Sequence, residues 1–88
     1  MEITKRDGYY ELSDVGYYLE QRLIDNVLAK YNNKPIVASL TTNQYRAIDF
    51  LIDNGFRKVG GIRVNPNSGN MICLYIRLPK NKLRKRSK

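Results

Sequence analysis

Residues 36–40, Ile-Val-Ala-Ser-Leu, constrain the fold of this chain more than any other stretch. The run is short, branched and mostly apolar, which is the pattern of a central strand buried on both faces of a sheet. "YNNKP", residues 31–35, closes the segment before it, because Asn favours turns and Pro35 is not comfortably preceded by helical backbone. The rest of the chain is therefore read outward from an interior strand.

Upstream, "EITK" and "YYEL" flank "RDG", and Asp-Gly supplies the positive backbone dihedrals of a tight reversal, so a hairpin is expected. Ser13 or Asp14 is predicted to cap a helix by accepting from an orphan backbone N–H of its first turn. From Val15 onward, Val15, Leu19, Leu23 and Val27, with Tyr18, Ile24, Leu28 and Tyr31 one row over, recur at helical spacing as one buried stripe. Downstream, Thr41 or Thr42 is predicted to cap a second helix with Ala47, Ile48, Leu51 and Ile52 on one face. Asn54-Gly55 supplies its left-handed exit. "FRKVGGIRV" and "MICLYIRLP" read as two strands joined by the turn-forming "NPNSGN", with a bulge or close backbone approach at Gly60-Gly61. The order is ββαβαββ: a small single α+β domain with a mixed, mostly antiparallel sheet and two helices.

Composition sets the limits around this fold. Eighty-eight residues, 42% of them hydrophobic, make one domain near the lower size at which a core suffices without metal or disulfide. The lone Cys73 has no bridging partner and falls in an apolar alternating run, so it is expected as a buried small hydrophobe. No histidine and one cysteine argue against a zinc site or a histidine-dependent nucleophile, and no metal cofactor is expected. No apolar run approaches the roughly 18 residues of a membrane span, and the N-terminus has neither the basic start nor the apolar stretch of a signal peptide. A cytoplasmic protein without a membrane partner is the expectation. The net charge of +8 is uneven: residues 79–88, "PKNKLRKRSK", hold six of the sixteen basic side chains and no acid, leaving +2 on residues 1–78. The boundary is drawn there, between a domain at 1–78 and a basic tail at 79–88.

The stretch "IVASLTTNQYRAIDFLIDNGFRKVGG" resembles the strand, helix and following strand of the GNAT superfamily of acetyl-CoA-dependent N-acyltransferases. In that family the helix commonly carries an Asn, a small residue, then an aliphatic-Tyr pair, and ends in Gly-Phe. Ala47 fits the small position, Phe50 the aliphatic one, and Gly55-Phe56 the ending. The hairpin, long helix and final two-stranded ribbon also follow the family's order. The resemblance spans residues 3–78 and matches the C-terminal half of a GNAT fold, without the early strand and two helices that help enclose the acceptor.

The resemblance implies an acetyl-CoA or CoA site at Val15, Gly16, Tyr17 and Tyr18, at the start of the long helix, and at Gln44. The family's loop runs Gln or Arg, two residues, Gly, one residue, Gly or Ala; here Ser13 and Tyr18 stand at its ends and only Gly16 matches. Small residues there let backbone N–H groups approach a pyrophosphate. Gln44 stands where a CoA-contacting Asn is common, with Asn43 one place out of register. Leu51 occupies the position of the Tyr that protonates the departing thiolate, and leucine donates no proton. Glu11 and Glu2 are the candidates for a base toward the acceptor amine, with surface solvation as the alternative.

Three function classes stay open on the sequence. One is a miniature or degenerate GNAT-like protein that binds acyl-CoA and transfers the acyl group by proximity. Another is a non-enzymatic binding module that acts through a homodimer or a protein partner, with Tyr9, Tyr10, Tyr17 and Tyr45 as residues to test for exposure. The last is nucleic-acid binding through the hairpin cations Arg57, Lys58, Arg63 and Arg77 and the tail residues Lys80, Lys82, Arg84, Lys85 and Arg86.

Overall fold

A computed structural model describes residues 1–15 and 19–79 of the chain. In chain order the elements are β1 (Glu2–Arg6), β2 (Tyr9–Ser13), α1 (Gln21–Lys30), β3 (Ile36–Thr41), α2 (Tyr45–Asp53), β4 (Arg57–Val64) and β5 (Met71–Arg77). This is the expected ββαβαββ order and α+β class. The five strands form one sheet in the order β1-β2-β3-β5-β4, antiparallel at every junction except β2–β3.

Strand alternation decides which side chains meet the helices. Tyr10 and Leu12 of β2, Ile36, Ala38 and Leu40 of β3, and Cys73 and Tyr75 of β5 are buried in one cluster with Ile24 of α1 and Ala47 and Leu51 of α2. Both helices therefore cover the same face. The alternate residues, Tyr9, Glu11, Val37, Ser39, Leu74 and Ile76, lie on the other face and are half-buried or exposed. This corrects the expectation for residues 36–40. β3 is central, yet it is buried on one face only, because the two helices among the described residues both lie on one side of the sheet.

The start of α1 is the second correction. Asp14 adopts a left-handed conformation, φ 57°, and Val15 lies in a turn, so neither Ser13 nor Asp14 caps a helix there. The helix begins at Gln21, with Glu20 at its N-cap and no side-chain cap. Val-Gly-Tyr-Tyr is a run of poor helix formers, and its glycine alone costs about 1 kcal/mol relative to Ala. The buried stripe is accordingly Ile24 with the partly buried Val27, Leu28 and Tyr31, while Leu23 is 37% exposed. At the far end, Tyr31 packs edge-on against Tyr10, with centroids 5.0 Å apart, and the Tyr10 hydroxyl donates to Asn33 Oδ1 at 2.7 Å.

The end of α2 follows the sequence. Gly55 takes φ 92°; its N–H donates to the Ile52 carbonyl at 3.1 Å and the Phe56 N–H to the Leu51 carbonyl at 3.0 Å, the paired bonds of a Schellman ending. Phe56 then enters the core beside Leu51. Gly60, φ 71°, sits within a register shift between Val59 and Arg63, which is the expected bulge. Cys73 is a buried free thiol, also as expected. Among the described residues no helix is long and apolar enough to cross a membrane.

Candidate functional site

The only parallel junction in the sheet opens early. β2 and β3 are aligned from Tyr10↔Ile36 to Leu12↔Ala38, after which β2 runs on to Ser13 and β3 to Thr41 without pairing. Alternate residues of a strand turn their backbone groups to opposite neighbours. The Tyr10 N–H donates to the Pro35 carbonyl at 2.9 Å, so the odd-numbered residues of β3 present their backbone groups to β2. Beyond the last aligned pair, the N–H of Thr41 faces a β2 that has turned away at Asp14. A side chain takes over: Gln44 Oε1 accepts from the Thr41 N–H at 2.8 Å and from Thr41 Oγ1 at 3.0 Å. The Thr41 hydroxyl also lies 2.6 Å from Asn43 Oδ1. The pairing thus ends before the carboxyl ends of β2 and β3, with Ser13 and Asp14 following on one strand and Ser39, Thr41 and the Gln44 side chain on the other; we call this opening the notch.

Thr41 is the last residue of β3, and the residue before α2 is Gln44 with no side-chain cap. Neither Thr41 nor Thr42 therefore caps that helix. Gln44 holds the β3–α2 turn together, and its amide nitrogen has no partner among the described residues. Val15 is buried in the core, with 2% of its surface exposed. Gly16, Tyr17 and Tyr18 lie outside the described residues. α1 begins at Gln21. Leu51 is fully buried, well inside the helix–sheet core.

Glu11 is on the helix-free face, where its Oε1 accepts from Arg6 Nε at 2.7 Å in a half-exposed ion pair. Glu2 is exposed on edge strand β1. A shallow depression of about 350 Å³ on that face is lined by Tyr9, Glu11, Val37, Ser39, Leu74 and Ile76. A second cleft, of about 630 Å³, lies between α1 and the end of α2, with Asp25, Asp53, Asn54 and Arg77 among its walls.

The hairpin cations divide. Arg57, Lys58 and Arg63 are exposed on edge strand β4. Arg77 is set apart from them: it is half-buried, and its Nε donates to the Asn54 carbonyl at 3.0 Å. Lys80, Lys82, Arg84, Lys85 and Arg86 lie outside the described residues. The charge division begins earlier than the tail. All eight acids fall in residues 1–53, and residues 54–88 carry ten of the sixteen basic side chains. Splitting the charge at the end of α2 was the signal that marks the β4–β5 hairpin as a basic unit. Of the tyrosines singled out for exposure, Tyr45 is exposed and Tyr9 partly so, whereas Tyr10 is buried.

No family model, curated protein or solved structure matches the chain.

Proposed function

We propose that this chain is a miniature GNAT-like protein that binds acyl-CoA in the notch at the ends of β2 and β3, with weakened acyl-transfer chemistry. The observation that carries the reading is the opening of the sheet's one parallel pair after three aligned residue pairs. Ligands of open α/β sheets bind outside the carboxyl ends of the strands, where neighbouring strands part. The ββαβαββ order and the Schellman ending at Gly55-Phe56 support the same reading.

The notch suits one part of this ligand well. The pantetheine arm is an extended chain with two amides, and an extended amide segment pairs with open strand backbone in the manner of an added strand. The Ser39 carbonyl, turned toward β2 beyond the last aligned pair, is such an acceptor, and the free amide of Gln44 adds a donor. The resemblance assigns the diphosphate to the loop around Gly16, Tyr17 and Tyr18.

Bound acyl-CoA supplies an activated thioester. This chain offers little acid–base help: Leu51 has no proton to give and is buried, and Glu11 is shared with Arg6. Transfer to an amine therefore rests on proximity and orientation and is slow. At ten times its Kd, acetyl-CoA stabilises the fold by about 1.4 kcal/mol and raises Tm by about 5–10 °C. Gly16→Glu, which sets a carboxylate in the phosphate loop, removes the shift. An unchanged Tm at millimolar acetyl-CoA rejects the reading.

A second reading has its own observation in the charge division at Asn54. β4 is exposed along all eight residues and carries Arg57, Lys58 and Arg63 without an acid, a surface suited to a nucleic-acid phosphate backbone. Duplex binding that survives removal of residues 79–88 and falls steeply with salt supports it. Binding lost with the tail leaves the folded domain without that role.

A further inference from the structure

We infer that the helix-free face of the sheet is a self-association surface, and that a second copy of this chain covers it about a two-fold axis lying along the strands between β3 and β5. The inference does not rest on acyl-CoA binding: it rests on side chains of the face, and the two sites share Ser39, whose backbone borders the notch and whose side chain lies on the face.

The register places the side chains of this face in rows. Thr4, Glu11, Val37, Ile76 and Arg57 form one row across all five strands, and Ser39, Leu74 and Val59 form the next. Aligned partners on neighbouring strands point to the same face. The middle of the face is apolar at Val37, Leu74 and Ile76, and Ile72 extends it opposite Thr41. No element of the described chain covers it. Its charges are unequally placed, with Glu11 of β2, paired to Arg6 of β1, to one side and Arg57 and Arg63 of β4 to the other.

That inequality selects the occupant. A two-fold axis along the strands exchanges left for right, so when it passes between β3 and β5 it lays β3 on the second copy's β5 and β2 on its β4. Val37 then meets Ile76 of the second copy, Ser39 meets Leu74, and the carboxylate of Glu11 faces the guanidinium of Arg57 in the same row. Glu11 uses Oε1 for Arg6, which leaves Oε2 for that contact. Each pairing occurs twice, as an isologous interface requires. An axis across the strands would instead set Arg57 against Arg57. The four overlapping strands, about 4.8 Å apart and about 18 Å long, give a flat footprint of about 350 Å² per copy. That area fits a weak, reversible dimer rather than an obligate one.

Sedimentation equilibrium of the full chain, from about 1 µM to about 1 mM, tests the inference, with circular dichroism as the check on folding. The expected result is a reversible monomer–dimer equilibrium. Ser39→Arg changes an exposed residue at the middle of the face and should leave a folded monomer. Glu11→Arg and Arg57→Glu should each weaken the dimer about five-fold, and the double reversal should restore it. A monomer at every concentration overturns the inference. So does self-association that Ser39→Arg leaves intact, or a double reversal no tighter than the single changes.

Discussion

Gln44 shows how one side chain serves two readings. The GNAT resemblance implies a cofactor contact for it; the structure gives it a local duty, as acceptor for a backbone N–H that the parting of β2 from β3 leaves without a strand partner. That duty was not legible in the sequence, because it depends on where a partner strand 30 residues upstream turns away. Gln44→Ala leaves the Thr41 N–H without its acceptor and should cost about 1–2 kcal/mol in urea unfolding. Gln44→Glu keeps the acceptor and should recover most of that loss. Tyr75 offers a pH-dependent test. Burial, with Cys73 beside it, raises its pKa above the ordinary 10.0. The folded state therefore holds a proton that the unfolded chain loses near pH 10. Its contribution is complete below that pH and is lost as pH rises through the folded-state value. Tm measured from pH 8 to pH 11.5 should fall on the alkaline side, and Tyr75→Phe should make that fall shallower.

At the scale of elements, the periodic pattern located both helices and misplaced the start of one. Apolar residues from Val15 to Leu23 extend the helical spacing of 24–31 backwards, yet Asp14 sits at φ 57°, Val15 lies in a turn, and Leu19 and Glu20 precede a helix that begins at Gln21. Periodicity reports which side chains seek the core, and Val15 and Leu19 reach it from outside the helix. The corrected stripe makes a direct prediction. Ile24→Ala should cost about 2–4 kcal/mol, whereas Leu23→Ala, one residue off the stripe, should cost well under about 1 kcal/mol. The end of α2 was legible because Asn-Gly carries its own backbone chemistry. A Cβ at Gly55 meets Arg77 Nε at 3.2 Å in addition to the strain of φ 92°, while one at Gly60 meets nothing within 4 Å. Gly55→Ala should therefore destabilise by about 1–3 kcal/mol and by more than Gly60→Ala, as read from denaturant midpoints.

At the scale of the molecule, element order and fold class were readable because each strand and helix carries its own period. The one-sided sheet was not, since a run such as Ile-Val-Ala-Ser-Leu looks doubly buried whether a helix layer or a second chain covers its far side. For the candidate site, the resemblance named the loop after β2 and Gln44 as an expectation, while the parting of β2 from β3 beside Gln44 depends on pairing between distant strands and carries no local signal in the sequence. The proposed seat of acyl-CoA in this notch can be read by amide chemical-shift mapping of the uniformly labelled chain during an acetyl-CoA titration. Saturable changes concentrated at residues 13–18 and 39–44 are expected. No change at millimolar ligand, or changes confined to β4 and the tail as expected of phosphates on loose surface cations, would contradict it.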